Sequence, residues 1–163
     1  MQKAQFWIPL ADQFVPKGRL SRIQYFLYGI VYALVYFVVL FGLGMAMATT
    51  GRTQLQTGVV AVMSTIATYV FFCLDAKRLH DMNWPAFIAA ILLSEPLISD
   101  YLAVLNGFVP LPDVSRVLPT VNKIWQIGSG IVGLIMLFGP GNKGANKYGP
   151  DPLRPPTPPI EVF

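Results

Sequence analysis

Ala76-Lys77-Arg78-Leu79-His80-Asp81 puts four ionisable side chains into six residues, between two apolar stretches. Charge is costly inside lipid, so its placement says how a chain is threaded through a membrane. Upstream, residues 53–74 run uncharged for 22 positions and residues 23–51 for 29. About 20 apolar residues cross a bilayer as a helix, so both runs are long enough. Downstream, residues 82–94 are apolar for only 13 positions before Glu95, Pro96 and Asp100 intervene, and the pattern then resumes to Val109. Proline removes a helical hydrogen bond and disfavours helix at the residue before it. The expectation is one kinked helix over 84–109, with a re-entrant piece followed by a loop as the alternative. The last run, 124–142, has 19 uncharged residues.

Composition agrees. The 163 residues are 54% hydrophobic and 12% charged, where soluble domains average about 25% charged. A soluble fold of this size would expose large apolar patches; a bilayer removes the difficulty. The net charge of +4 does not imply nucleic acid as a partner, because the cations stand at the ends of apolar runs rather than in a solvated stripe. Cys73 is the single cysteine, so no intrachain disulfide and no Cys/His metal set is expected. Residues 1–20 carry Lys3, Asp12, Lys17 and Arg19 without an uninterrupted apolar core, so the first span is expected to act as an uncleaved insertion signal.

The fold expected is an all-α bundle of four transmembrane helices, over approximately 24–48, 54–75, 84–109 and 122–139, in one membrane domain covering 1–150. A short segment over 6–15 is expected to lie along the interface, and the proline-rich tail 151–163 to be extended. Four spans place Lys3, Lys17, Arg19, Arg22, Lys77, Arg78, Lys143, Lys147 and Arg154 on one side. Only Arg52, Arg116 and Lys123 fall on the other. Cytoplasmic loops carry the excess of Lys and Arg, so both termini are expected in the cytoplasm.

Three polar clusters then share that face. Gly18-Arg19-Leu20-Ser21-Arg22-Ile23-Gln24-Tyr25-Phe26 resembles the "GR-x-S-R-x-x-Y-aromatic" opening of the DUF805 family of small bacterial inner-membrane proteins. The run at 76–81 resembles that family's "RRLHD" segment. Pro140-Gly141-Asn142-Lys143-Gly144-Ala145-Asn146-Lys147-Tyr148-Gly149-Pro150-Asp151-Pro152 resembles its "PG-x-x-G-x-N-x-YGPDP" close. The three occur in the family's order and bracket most of the chain. The resemblance implies a multi-pass protein of the bacterial inner membrane and carries over no catalytic residue. One departure is Met82-Asn83-Trp84-Pro85, where a small serine-glycine stretch is expected.

The candidate cluster is Arg19, Arg22, Lys77, Arg78, His80, Asp81, Asn146, Tyr148 and Asp151. Its cations and carboxylates can tie helix ends together, or its cations can receive an anionic lipid headgroup or an acidic partner surface. His80 adjoins Asp81, but neighbours on a helix do not face each other, and no activated nucleophile accompanies them, so no catalytic residue is expected. The 141–147 stretch lacks the strand-loop-helix context and G-K-[ST] ending of a phosphate loop. Glu95 and Asp100 are candidate intramembrane acids, functional by default in lipid; a helix broken at Pro96 would instead put both at an interface, and because the first, second and last apolar runs hold no charge to pair with them, the interfacial reading is the one expected. Ser129 and Gly133, four apart beside Gly128 and Gly130, have the small-xxx-small spacing of packed membrane helices. The function expected is that of a non-enzymatic accessory or scaffold subunit, with no cofactor and no metal. Its partners would be membrane lipids, anionic headgroups included, and other integral membrane proteins. The alternative is a small transporter or ion-coupled protein using Glu95 and Asp100.

Overall fold

The computed structural model describes residues 7–48, 53–107 and 118–153. The tail beyond Leu153, and with it Arg154, lies outside the described residues, as do Lys3, Arg52 and Arg116. The described chain is all helical: α1 (Leu10–Gln13), α2 (Arg22–Ala48), α3 (Thr53–Asp81), α4 (Phe87–Leu92), α5 (Ser94–Asn106) and α6 (Leu118–Phe138). Four segments are long and apolar enough to cross a membrane: Arg22–Ala48, Leu55–Asp81, Phe87–Asn106 and Thr120–Phe138. The chain is a multi-pass membrane protein.

α3 is the hub, packed against α1, α2, α4, α5 and α6. At 1.5 Å per residue its 29 residues extend about 43 Å, against about 30 Å of hydrocarbon. The surplus is the polar C-terminal end. Both buried clusters, Leu20 with Tyr28 and Leu74, and Leu79 with Ala89 and Met136, gather at that end. The rest of the long helices shows apolar side chains at the surface, as lipid permits.

The third span breaks once. α4 stops at Leu93 (φ −92°, ψ 1°) and α5 starts at Ser94. Pro96 has no N–H to donate to the carbonyl of Leu92, four residues back. Trp125 Nε1 on α6 donates to that carbonyl at 3.3 Å. The break spans one residue, Leu93, and Glu95 and Asp100 follow it within the 20-residue segment that is long and apolar enough to cross.

The end of α3 is set by Asn83, the one described non-glycine residue with positive φ, at 62°. Trp84 N–H donates to Leu79 O at 2.8 Å and Asn83 N–H to His80 O at 3.0 Å. That is a Schellman closure with asparagine in the left-handed position. Met82-Asn83-Trp84-Pro85 thus stops the helix by a defined turn, and Pro85 blocks its continuation.

Residues 7–15 lie against the helices. Ile8 N–H donates to the Tyr28 hydroxyl (2.7 Å), the Tyr32 hydroxyl to Gln13 Oε1 (2.6 Å) and the Tyr69 hydroxyl to Phe14 O (2.9 Å). Tyr28 is therefore buried rather than wetting its hydroxyl at the interface.

A left-handed position tests the turn. Replacing Asn83 by Gly should leave the unfolding midpoint in detergent nearly unchanged. Asn83→Val should cost about 1–2 kcal/mol, the penalty of a branched residue there. Equal midpoints for the two variants would contradict the assigned turn.

Candidate functional site

The candidate site is the polar end of the bundle, where three separate stretches of chain meet α3. Arg78 is fully buried, Lys77 is 2% exposed and Asp81 3%. Arg78 and Asp81 are three apart, on one face of the helix. Arg78 Nη1 donates to Asp81 Oδ2 at 2.6 Å. Arg19, on the segment leading into α2, donates from Nε (3.1 Å) and Nη2 (2.9 Å) to the other oxygen, Oδ1. One carboxylate therefore joins two arginines that are 59 residues apart in sequence.

The remaining donors go to carbonyls. Arg78 Nε donates to Met136 O (2.6 Å) and Nη2 to Gly139 O (2.5 Å). Both acceptors belong to the last turn and the exit of α6, whose terminal carbonyls have no partner within the helix. Arg19 Nη2 donates to Asn142 O (2.5 Å) and Nη1 to Gly144 O (2.5 Å). In return, the chain after α6 caps α3: Asn142 N–H donates to Asp81 O (2.7 Å) and Asn146 Nδ2 to His80 O (2.8 Å). Leu20 N–H donates to Lys77 O (3.1 Å). Every terminal carbonyl of α3 from Lys77 to Asp81 thus has a donor.

Electrostatics suits this arrangement. Two guanidiniums face one carboxylate, a surplus of one positive charge. Two helix C-termini also converge here, and each carries about half a negative charge. The two half charges offset the surplus, so the group of Arg19, Arg78 and Asp81 is close to neutral.

Two glycine-dependent details complete the packing. A Cβ at Gly141 would fall on the Asp81 carboxylate, so only glycine lets the chain pass there. Gly144 and Gly149 have positive φ (79° and 142°) and frame the turn closed by Asn146 and Gly149.

The remaining predicted residues disperse around this centre. His80 points away from Asp81. Its Nδ1 lies 3.2 Å from Gly18 O, and its ring stacks on Tyr148 with centroids 3.8 Å apart. Lys77 donates to the carbonyl of Asp12. Asp151 accepts from the N–H groups of Gly144 (3.0 Å) and Leu153 (2.9 Å). Arg22, in the same motif as Arg19, is exposed and joins none of these bonds. Glu95 and Asp100 lie on α5, apart from the cluster. Glu95 Oε1 accepts from Ser99 Oγ (3.1 Å), and neither acid has a cation within ion-pair distance among the described residues. Among the described residues no cluster of three or more His, Cys, Asp or Glu could hold a metal.

Two features escape the sequence reading. Ser21 and Gln24 form a reciprocal capping box at the start of α2: Ser21 N–H donates to Gln24 Oε1 (3.1 Å) and Gln24 N–H to Ser21 Oγ (3.4 Å). The S-x-x-Q spacing is its signal. The Tyr25 hydroxyl donates to Asp75 Oδ1 at 2.9 Å, pairing α2 with α3 beneath the arginines; no short motif announces it.

A family model described as "Protein of unknown function (DUF805)" matches residues 13–150. No curated protein and no solved structure matches the chain.

Removing one partner from a buried ion pair costs about 3–5 kcal/mol. Asp81→Asn should lower the thermal midpoint in detergent accordingly. Arg78→Lys should do so as well, because a lysine keeps the charge but not the fork that reaches Met136 and Gly139. A wild-type midpoint for Arg78→Lys would contradict the capping role.

Proposed function

The chain belongs to the DUF805 family, and on that premise we propose that it is a non-enzymatic accessory or scaffold subunit of a larger assembly in the bacterial inner membrane. The observation that carries this reading is the engagement of the polar cluster. Arg19, Arg78 and Asp81 bond to one another and to helix-end carbonyls. Ser21 is a helix cap and His80 lies against Tyr148. Catalysis needs a base within reach of a nucleophile or substrate proton, and these side chains are committed to holding the bundle end.

A scaffold role is supported by α6. It meets the bundle chiefly through α2 and α3, with Trp125 reaching the Leu92 carbonyl of α4. Gly128 and Gly130 on it are exposed, and a Cβ added at either meets nothing within 4 Å. Their lack of a side chain therefore serves no close packing within this chain, although small residues are what let membrane helices approach each other. The two glycines, two residues apart, lie on different sides of α6, and this reading assigns each side to a helix of another protein. Both termini are assigned to the cytoplasm because the polar end of the bundle gathers Lys17, Arg19, Arg22, Lys77, Arg78, Lys143 and Lys147.

Purification from native membranes in mild detergent should recover stoichiometric protein partners, and Gly128→Leu with Gly130→Leu should release them without lowering the thermal midpoint. Recovery of the wild-type chain alone would overturn the scaffold reading. A reporter fused after Phe163 should read as cytoplasmic; a periplasmic signal would overturn the orientation.

A further inference from the structure

One seam runs from the chain leaving α6 down between α2, α3 and α6, and two cavities lie along it. The first, about 200 Å³, opens at the polar end beside Arg22 and Lys143. The second, about 320 Å³, is an apolar groove deeper along the seam, lined by Phe26, Gly29, Ile30 and Ala33 on α2 and by Gly133 and Leu137 on α6. On α2 the residues Arg22, Phe26, Gly29, Ile30 and Ala33 fall at helical spacing on one face. On the other side Gly133 and Leu137 of α6 line the groove, and Pro140 and Gly141, in the chain just past the end of α6, line the polar cavity. The two cavities are therefore successive stretches of one seam.

We propose that this seam binds one anionic phospholipid, its phosphate between Arg22 and Lys143 and an acyl chain in the groove beside Gly29 and Gly133. Charge decides the occupant at the polar end. The acids that line that cavity are committed: Asp81 to Arg19 and Arg78, Asp151 to the N–H groups of Gly144 and Leu153. The cations Arg22 and Lys143 make no hydrogen bond or ion pair among the described residues, and both are exposed. A cavity of that size takes several waters at about 30 Å³ each, or a phosphate that replaces them.

Length decides the occupant deeper down. Arg22 and Ala33 are eleven residues apart, about 16 Å along the helix, which is half of a 30 Å hydrocarbon core. The seam is thus as deep as one leaflet, which fits an acyl chain with its headgroup at the polar end. Small residues carve the groove: a Cβ at Gly29 or Gly133 would meet nothing within 4 Å. Arg78 and Asp81 of the buried cluster form part of the polar cavity's wall, but their polar atoms are already engaged, and the scaffold contact assigned to Gly128 and Gly130 lies elsewhere on α6.

Native mass spectrometry of the full chain in detergent tests it, with dioleoylphosphatidylglycerol and dioleoylphosphatidylcholine added separately. The wild type should retain one phosphatidylglycerol in preference to phosphatidylcholine. Each juxtamembrane cation contributes about fivefold to binding an anionic lipid, so Arg22→Gln with Lys143→Gln should lose about thirtyfold for phosphatidylglycerol and leave phosphatidylcholine unchanged. Gly133→Leu should weaken both lipids. The two polar substitutions touch no internal bond, so their thermal midpoint should match wild type and the test survives a folding defect in Gly133→Leu. Equal retention of the two lipids by the wild type would overturn the proposal, as would undiminished phosphatidylglycerol binding by the double variant. Displacement of the lipid by millimolar inorganic phosphate would make this a soluble-anion site and overturn the lipid assignment. Loss of a protein partner from Gly133→Leu with lipid binding intact would assign the groove to a helix instead.

Discussion

Arg78 caps the end of α6 while the chain leaving α6 caps the end of α3. This exchange is the constraint on which the polar end of the bundle depends. A membrane helix that ends outside the hydrocarbon must satisfy its last carbonyls, and here each helix supplies donors to the other. The arginine reaches across with a rigid fork; the loop returns a backbone N–H from Asn142 and a side-chain amide from Asn146. Because the acceptors are main-chain atoms, they hold position only if both helices end where they do. That makes the Asn83 turn, the passage at Gly141 and the length of α6 parts of one arrangement.

Arg19 extends the arrangement to α2. It shares the Asp81 carboxylate with Arg78 and also holds Asn142 and Gly144, so the entry to the first span is fixed to the exit of the last. Buried ion pairs are often no better than apolar packing. Here the apolar option is closed, because helix-end carbonyls converge on the site and require donors. The near balance of two guanidiniums, one carboxylate and two helix C-termini explains how so much charge stays buried. Both buried clusters lie at this end, and the long helices elsewhere show mostly apolar side chains at the surface, as a lipid environment permits.

Much of this was legible in the sequence. Uncharged runs of adequate length located the spans, and the placement of Arg19, Arg78 and Asp81 at the ends of those runs put them at one end. The spacing of Arg78 and Asp81 allowed their contact, and the adjacency of His80 and Asp81 argued against theirs. The partners of the arginines were not legible, because backbone carbonyls carry no side-chain signature. Nor was the separation of Arg22 from Arg19: both belong to one motif, but Arg19 is buried on the segment before α2 while Arg22 opens α2 on its exposed side. Pro96 marks a break in the helix, as expected, and Trp125 from α6 donates to the carbonyl freed there. Tyr25 and Tyr28 carry no signal of their partners either; the fold uses their hydroxyls inside, against Asp75 and the backbone of Ile8.

The most direct measurement is amide hydrogen exchange across residues 139–149 in the detergent-solubilised protein. A loop held by reciprocal capping should show the Asn142 amide protected to the level of the α3 helical amides, and Arg78→Lys should remove that protection along the whole stretch. Exchange of Asn142 at the rate of an open loop in the wild-type protein would contradict the account.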